Sequence, residues 1–197
     1  MRHAGKTSQD DRSAARRGTA ARLLRRRDGA SAVEFVLIFP IMISLLAGTI
    51  DFGQALMLTR KLNLVASRLG DMVSQKSTWT TSDVEAIMAG TALIVSPFDT
   101  SELEIQLAVV DIDDDLDATV NWAKAYNGTA LSHGADSPVD IPEEIAQSGV
   151  QLIAVNATFT LETPFASLFE PLTGVTAYSF SKKYIMRPRI KDTVALN

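Results

Sequence analysis

Residues 30–50 hold one charged side chain, Glu34, in an otherwise apolar or small-residue run. At about 21 residues this makes roughly 31 Å of helix, enough to cross the hydrocarbon core of a bilayer. No other feature of the chain constrains it as much, because such a run has few stable places outside a membrane. A cleaved secretory signal has a shorter apolar core and a small-x-small exit. This run leads instead into a further helical pattern, so the segment is expected to stay in the protein.

Charge is divided around the run. Residues 1–29 carry nine Lys/Arg against three Asp/Glu, and the remainder carries ten against twenty. The Arg25-Arg26-Arg27 cluster abuts the apolar run, and positive flanks stay on the cytoplasmic side. The reading is a single-pass protein of the inner (cell) membrane, with its N-terminus cytoplasmic and its C-terminal domain periplasmic or extracellular. Residues 1–29 form a basic leader with almost no large apolar groups, unable to build a core. Residues 30–76 are a transmembrane and amphipathic helix, and residues 77–197 an extracytoplasmic domain.

From Ala55 the helix becomes amphipathic. Ala55, Leu58, Leu62, Val65, Leu69 and Met72 follow heptad spacing. That seam needs a partner, either the chain's own outer domain or neighbouring helices, and the sequence leaves both open. After a polar break, Ser82-Asp-Val-Glu85 has the form of a capping box opening a helix to about residue 94. Val84, Ile87, Met88, Thr91 and Leu93 give that helix a mixed apolar face.

Beyond Pro97 the pattern turns to strands at 103–110, 119–126, 150–160 and 175–186. Val120, Trp122 and Ala123 are placed near the core; the last strand alternates as Val175, Ala177 and Ser179, with Tyr178, Phe180 and Tyr184 opposite or near. A short helix is expected over 142–147 and a helical turn over 164–169. The fold class is α+β: a long helix, one or two short helices and a mostly antiparallel sheet of about four strands.

Chemistry-bearing signals are few. No cysteine is present, which excludes disulfides, thiolate metal sites and a cysteine nucleophile. His133 lies in a polar loop without a triad. Residues 111–117 are rich in Asp but lack the turn glycine and terminal glutamate of an EF-hand loop, so they read as an acidic hairpin turn. Lys182, Lys183, Arg187, Arg189 and Lys191 form a basic tail, read as a solvated strand end. There is no phosphate loop and no nucleophile elbow. The expectation is no enzyme, no cofactor, no metal, no nucleic acid and no small-molecule substrate.

The sharpest local motif is Gly29-Ala30-Ser31-Ala32-Val33-Glu34-Phe35, directly after the basic stretch. A carboxylate at the centre of a membrane helix costs about 2.5–3.5 kcal/mol on insertion scales, and less near the edge. Glu34 either snorkels toward water or meets Arg27, or it has a specific role. The segment resembles the processing site of type IV prepilins. With Pro40 and Ile50-Asp51-Phe52-Gly53 it resembles, more narrowly, the TadE-like family of pseudopilins of the tight-adherence (Tad/Flp) pilus system, over about residues 29 to 60. The late Arg187-Pro-Arg189 is similar to that family too.

The resemblance implies cleavage between Gly29 and Ala30 by a prepilin peptidase, with Glu34 and Phe35 completing the recognised site. It further implies pairing of Glu34 with the new α-amine of a neighbouring subunit. The partners would be the membrane, the peptidase, other pilins and pilus assembly proteins. The function would be assembly or initiation of an adhesive pilus. The competing reading is an uncleaved, membrane-anchored periplasmic binding module.

Overall fold

A computed structural model describes residues 27–163, 166, 170 and 174–197. Residues 1–26 of the expected leader lie outside them, as does the helical turn expected over 164–169 except at Ala166. The chain divides into two compact units, Met1–Thr49 and Ile50–Asn197. Helix α1, Arg27–Ser74, supplies residues to both.

In the first unit the apolar side chains of α1 are exposed, and none of the most apolar window is buried within the protein. The helix is continuous through Pro40, which cannot donate a ladder hydrogen bond. The Ser44 hydroxyl donates to the Pro40 carbonyl at 2.8 Å, and the Thr49 hydroxyl to that of Leu45 at 2.8 Å.

In the second unit α1 becomes a core element. Leu58, Leu62, Val65, Ala66, Leu69 and Val73 are fully buried against one face of the sheet. The seam therefore packs on its own domain. Ala55 is only half-buried and Met72 is exposed, so the buried row ends on Val73 instead of Met72. A straight helix turns every 3.6 residues, and a strict heptad drifts off its buried face. At Gly70 the helix lies close against the sheet: a Cβ there would stand 3.2 Å from the Tyr184 ring.

Strand β1, Thr78–Trp79, precedes helix α2, Thr81–Ala92. The cap is Thr80, not Ser82. Thr80 is extended, and its hydroxyl accepts the Asp83 N–H at 3.2 Å. Ser82 already lies inside the helix. Val84, Met88, Thr91 and Ala92 are buried, but Leu93 is exposed. The backbone tightens into a 3-10 turn at Leu93–Val95, which carries Val95 inward in its place.

The sheet is formed by β2 (Leu103–Ile112), β3 (Ala118–Tyr126), β4 (Gln151–Glu162) and β5 (Ala177–Met186). Its order is β3-β2-β4-β5, with every pair antiparallel. The helices cover one face through Leu103, Ile105, Leu107, Val109, Val155, Ala157 and Phe159. On the other face, Ala108, Val110, Ile112, Val120 and Leu152 pack with Leu131, Ala135, Ile141 and Ala146.

Val120 and Trp122, two apart on β3, fall on opposite faces. Trp122 pairs with Val109 and Val120 with Val110, so Asn121 is an extra residue in the strand. Such a bulge reverses the alternation, which period-two reading cannot see. On β5, Phe180 and Tyr184 pack on the helix-side core, whereas Tyr178 is exposed. The helix expected over 142–147 is a single turn, in which the Ile145 and Ala146 N–H groups donate to the Pro142 carbonyl.

The basic side chains Lys183, Arg187, Arg189 and Lys191 are exposed, as a solvated strand end requires, but the backbone of this tail is tied to the fold. Strand β6, Ala195–Leu196, pairs in parallel with β1. Arg189 forms an ion pair with Asp71, and its N–H donates to the Ser74 carbonyl at 3.0 Å. The Trp122 indole donates to the Val194 carbonyl at 2.7 Å, and the Val194 N–H donates to Gln151 at 2.6 Å. Helix ends leave carbonyls without intrahelical donors, and here the tail supplies one of the missing donors.

Gly70→Val is expected to destabilise the outer unit by about 1–3 kcal/mol, the usual cost of overpacking. Thermal unfolding of the full chain in detergent checks this. Gly53→Val, with open space around its Cβ, is expected to shift the transition far less.

Candidate functional site at the two ends of the membrane run

The motif residues occupy the start of α1. Gly29 and Ala30 are helical, within the first turn after Arg27. Glu34 and Phe35 are exposed. The Phe35 ring packs one turn on against Phe39, with centroids 5.3 Å apart. Glu34 makes no hydrogen bond or ion pair with any described residue. The geometry is a lone carboxylate among exposed apolar side chains, near the beginning of a helix long enough to span a bilayer. Nothing in this arrangement performs covalent chemistry. What it offers is a carboxyl group without a partner among the described residues, in an apolar run where a charge is expensive.

The other end of the run is marked by Asp51, in the outer unit. Its side chain is tied to Thr163, just past β4: the buried Thr163 hydroxyl donates to Asp51 Oδ2. Thr163 Oγ1 in turn accepts the Ala166 N–H at 3.2 Å. Asp51 Oδ1 is buried and has no hydrogen-bond partner among the described residues. Asp51 thus fastens the helix to the end of the central strand. In the sequence Asp51 stood out only as part of the Ile50–Gly53 segment. Thr163 carried no signal of its own, because its partner lies more than a hundred positions earlier.

The other sequence candidates resolve as structural groups. His133 Nδ1 lies 2.8 Å from the Asn121 carbonyl, at the bulge. The Asp113 carboxylate accepts the N–H groups of Asp115 and Asp117, at 3.0 and 2.8 Å, so it builds the acidic turn from within. Among the described residues no group of His, Cys, Asp or Glu side chains is placed to hold a metal ion.

Residues 29–69 match the TadE-like protein family. The match begins on Gly29, where the resemblance read from the motif begins, and runs on through Leu69. The likeness covers residues 29–69 and is to a family of structural proteins associated with the Tad pilus. No curated protein and no solved structure matches the chain. The TadE-like segment includes both halves of α1: the exposed apolar run, and the buried row from Leu58 to Leu69. The matched residues therefore take in both the exposed apolar run and the row that is buried in the second unit's core.

Thr163→Val removes the hydroxyl donated to Asp51 and leaves a buried carboxylate short of a donor. It is expected to cost about 1–3 kcal/mol. In a double-mutant cycle with Asp51→Ala, the second substitution is expected to cost less once the first is present. Denaturant unfolding of the four proteins in detergent checks this, and simple additivity would contradict the tether.

Proposed function

We propose that this chain is a minor pilin-like protein, a pseudopilin, that acts in assembly or initiation of a Tad/Flp adhesive pilus after processing by a prepilin peptidase. The observation that carries the reading is the TadE-like match starting on Gly29, with Glu34 standing without a partner among the described residues. In this reading the basic leader holds the N-terminus in the cytoplasm. The peptidase cuts between Gly29 and Ala30 at that face, leaving residues 30–197 anchored by one span in the inner membrane.

Physical chemistry gives the cut a purpose. It creates a cationic α-amine at Ala30, at the edge of the bilayer. A neighbouring subunit's Glu34 supplies the opposite charge. Bringing the two together offsets the desolvation cost of each and fixes the register of adjacent helices. Before cleavage the amine does not exist and arginines crowd the same end, so assembly is coupled to processing. The outer domain, carried on the same α1, faces the periplasm or the cell surface, where other pilins and assembly proteins meet it.

Mass spectrometry of the mature N-terminus in peptidase-containing cells is expected to find Ala30 as the first residue. A mature chain beginning at Met1 would sink the processing claim and favour the uncleaved anchored module. Gly29→Leu is expected to accumulate precursor and abolish piliation. Glu34→Gln keeps the shape but not the charge, so it is expected to be cleaved yet to assemble poorly.

A further inference from the structure

Two residues of the second unit break local preference, with nothing among the described residues to account for it. Gly90 lies inside α2, where glycine is among the least favourable residues. It has no positive φ, and nothing stands within 4 Å of the position a Cβ would take. Leu116 lies in the β2–β3 turn at φ 67°, a left-handed conformation that leucine rarely adopts. Its side chain is also 42% exposed.

The two exceptions are complementary in shape. Gly90 forms part of a hollow: with Arg68, Met72, Ile87, Thr91 and Ile94 it lines a groove of about 470 Å³ between α1 and α2. Leu116 forms a projection, held out by a turn whose backbone is bound to Asp113.

They are complementary in charge as well. Arg68 makes no ion pair among the described residues. Lys61, beside the groove, gives its ammonium to the Ile94 carbonyl at 3.0 Å and meets no carboxylate there. On the turn, Asp113 is occupied by the backbone, and Asp114 accepts from Ser148. The carboxylates of Asp115 and Asp117, on either side of Leu116, are exposed and make no hydrogen bond among the described residues.

We propose that the groove of one copy receives the acidic turn of a second copy. Leu116 fills the space over Gly90, and Asp115 and Asp117 meet Arg68 and Lys61. The contact joins two different patches, so it closes reciprocally in a dimer or continues head to tail. It does not depend on processing at Gly29. One apolar anchor with two charge pairs makes a weak contact in free solution. Confinement of both copies to one membrane raises the effective concentration at which it operates.

The absence of native cysteines makes the test direct. Full-length Gly90→Cys and Leu116→Cys chains are reconstituted together in lipid vesicles and oxidised mildly. The mixed disulfide is expected to form about tenfold faster than with Thr129→Cys, an exposed site toward the other end of β3, in place of Leu116→Cys. That margin is the scale of a single interface hot spot. Arg68→Glu in the first chain is expected to remove the advantage, and Asp115→Lys in the second to restore part of it.

Gly90→Leu and Leu116→Gly each return a position to local preference, so both are expected to melt no lower than the parent while losing self-association. A mixed disulfide no faster than the control, or an advantage indifferent to Arg68→Glu, overturns the proposal. So does lost piliation in Gly90→Leu cells without any crosslink, which would assign the groove to a different protein.

Discussion

The burial of Leu58, Leu62, Val65, Leu69 and Val73 against the sheet is the interaction on which the rest of the outer unit depends. Each large apolar side chain taken fully out of water contributes on the order of 1.5–3 kcal/mol, so this one row is comparable to the whole net stability of a small domain. Among the described residues of this α+β unit no other long helix covers that sheet face, since α2 spans only Thr81–Ala92. The row also decides what α1 is. The same continuous helix presents exposed apolar side chains before residue 50 and a fully buried stripe after it. The second half cannot leave the sheet without exposing the core, so in this protein the anchor helix and the domain scaffold are one element.

Polar ties close the structure around that row. At one end of the sheet, Thr163 holds Asp51. At the other, the C-terminal residues bind Ser74, Trp79, Trp122 and Gln151 through their backbone. Gln151 reaches on to Asp111, which also accepts from Asn121 at the bulge. The extra residue in β3 is thus fixed by a side-chain amide on its own strand, and that amide is held by the strand opposite. Hydrogen bonds of this kind contribute about 1 kcal/mol each. Their larger effect is on uniqueness: a shift in register would strand several buried donors at once.

Hydropathy and periodicity disclosed the long helix, the four strands and their order along the chain, because each depends on a repeating local pattern. The Gly29–Phe35 motif was legible for a different reason: a charge in an apolar run stands out without any structure. What stayed hidden depends on single residues or distant partners. The Asn121 bulge reverses the faces of β3 without altering composition. Thr80 and Ser82 are both good caps, and only the backbone at Thr80 decides between them. The ion pair of Arg189 was hidden because Asp71, its partner, sits on a helix more than a hundred residues earlier. No local rule connects them.

Exceptions to local preference carry the most functional meaning, and they divide into two classes. Gly70 is explained within the chain by the Tyr184 ring packed over it, and Asp51 is largely explained by Thr163. Glu34, Gly90 and Leu116 have no such compensation among the described residues. A folded chain tolerates a few uncompensated costs when something outside it gives them a use. The three lie on a membrane-facing run, in a helix groove and at a turn tip, all on exposed surface. An isolated monomer gains nothing from any of them. In the assembly proposed above each has a use: a charge neutralised, a hollow filled, an anchor seated. That common logic is why the positions least favourable to this chain alone are the ones that read most directly as places where it meets its neighbours.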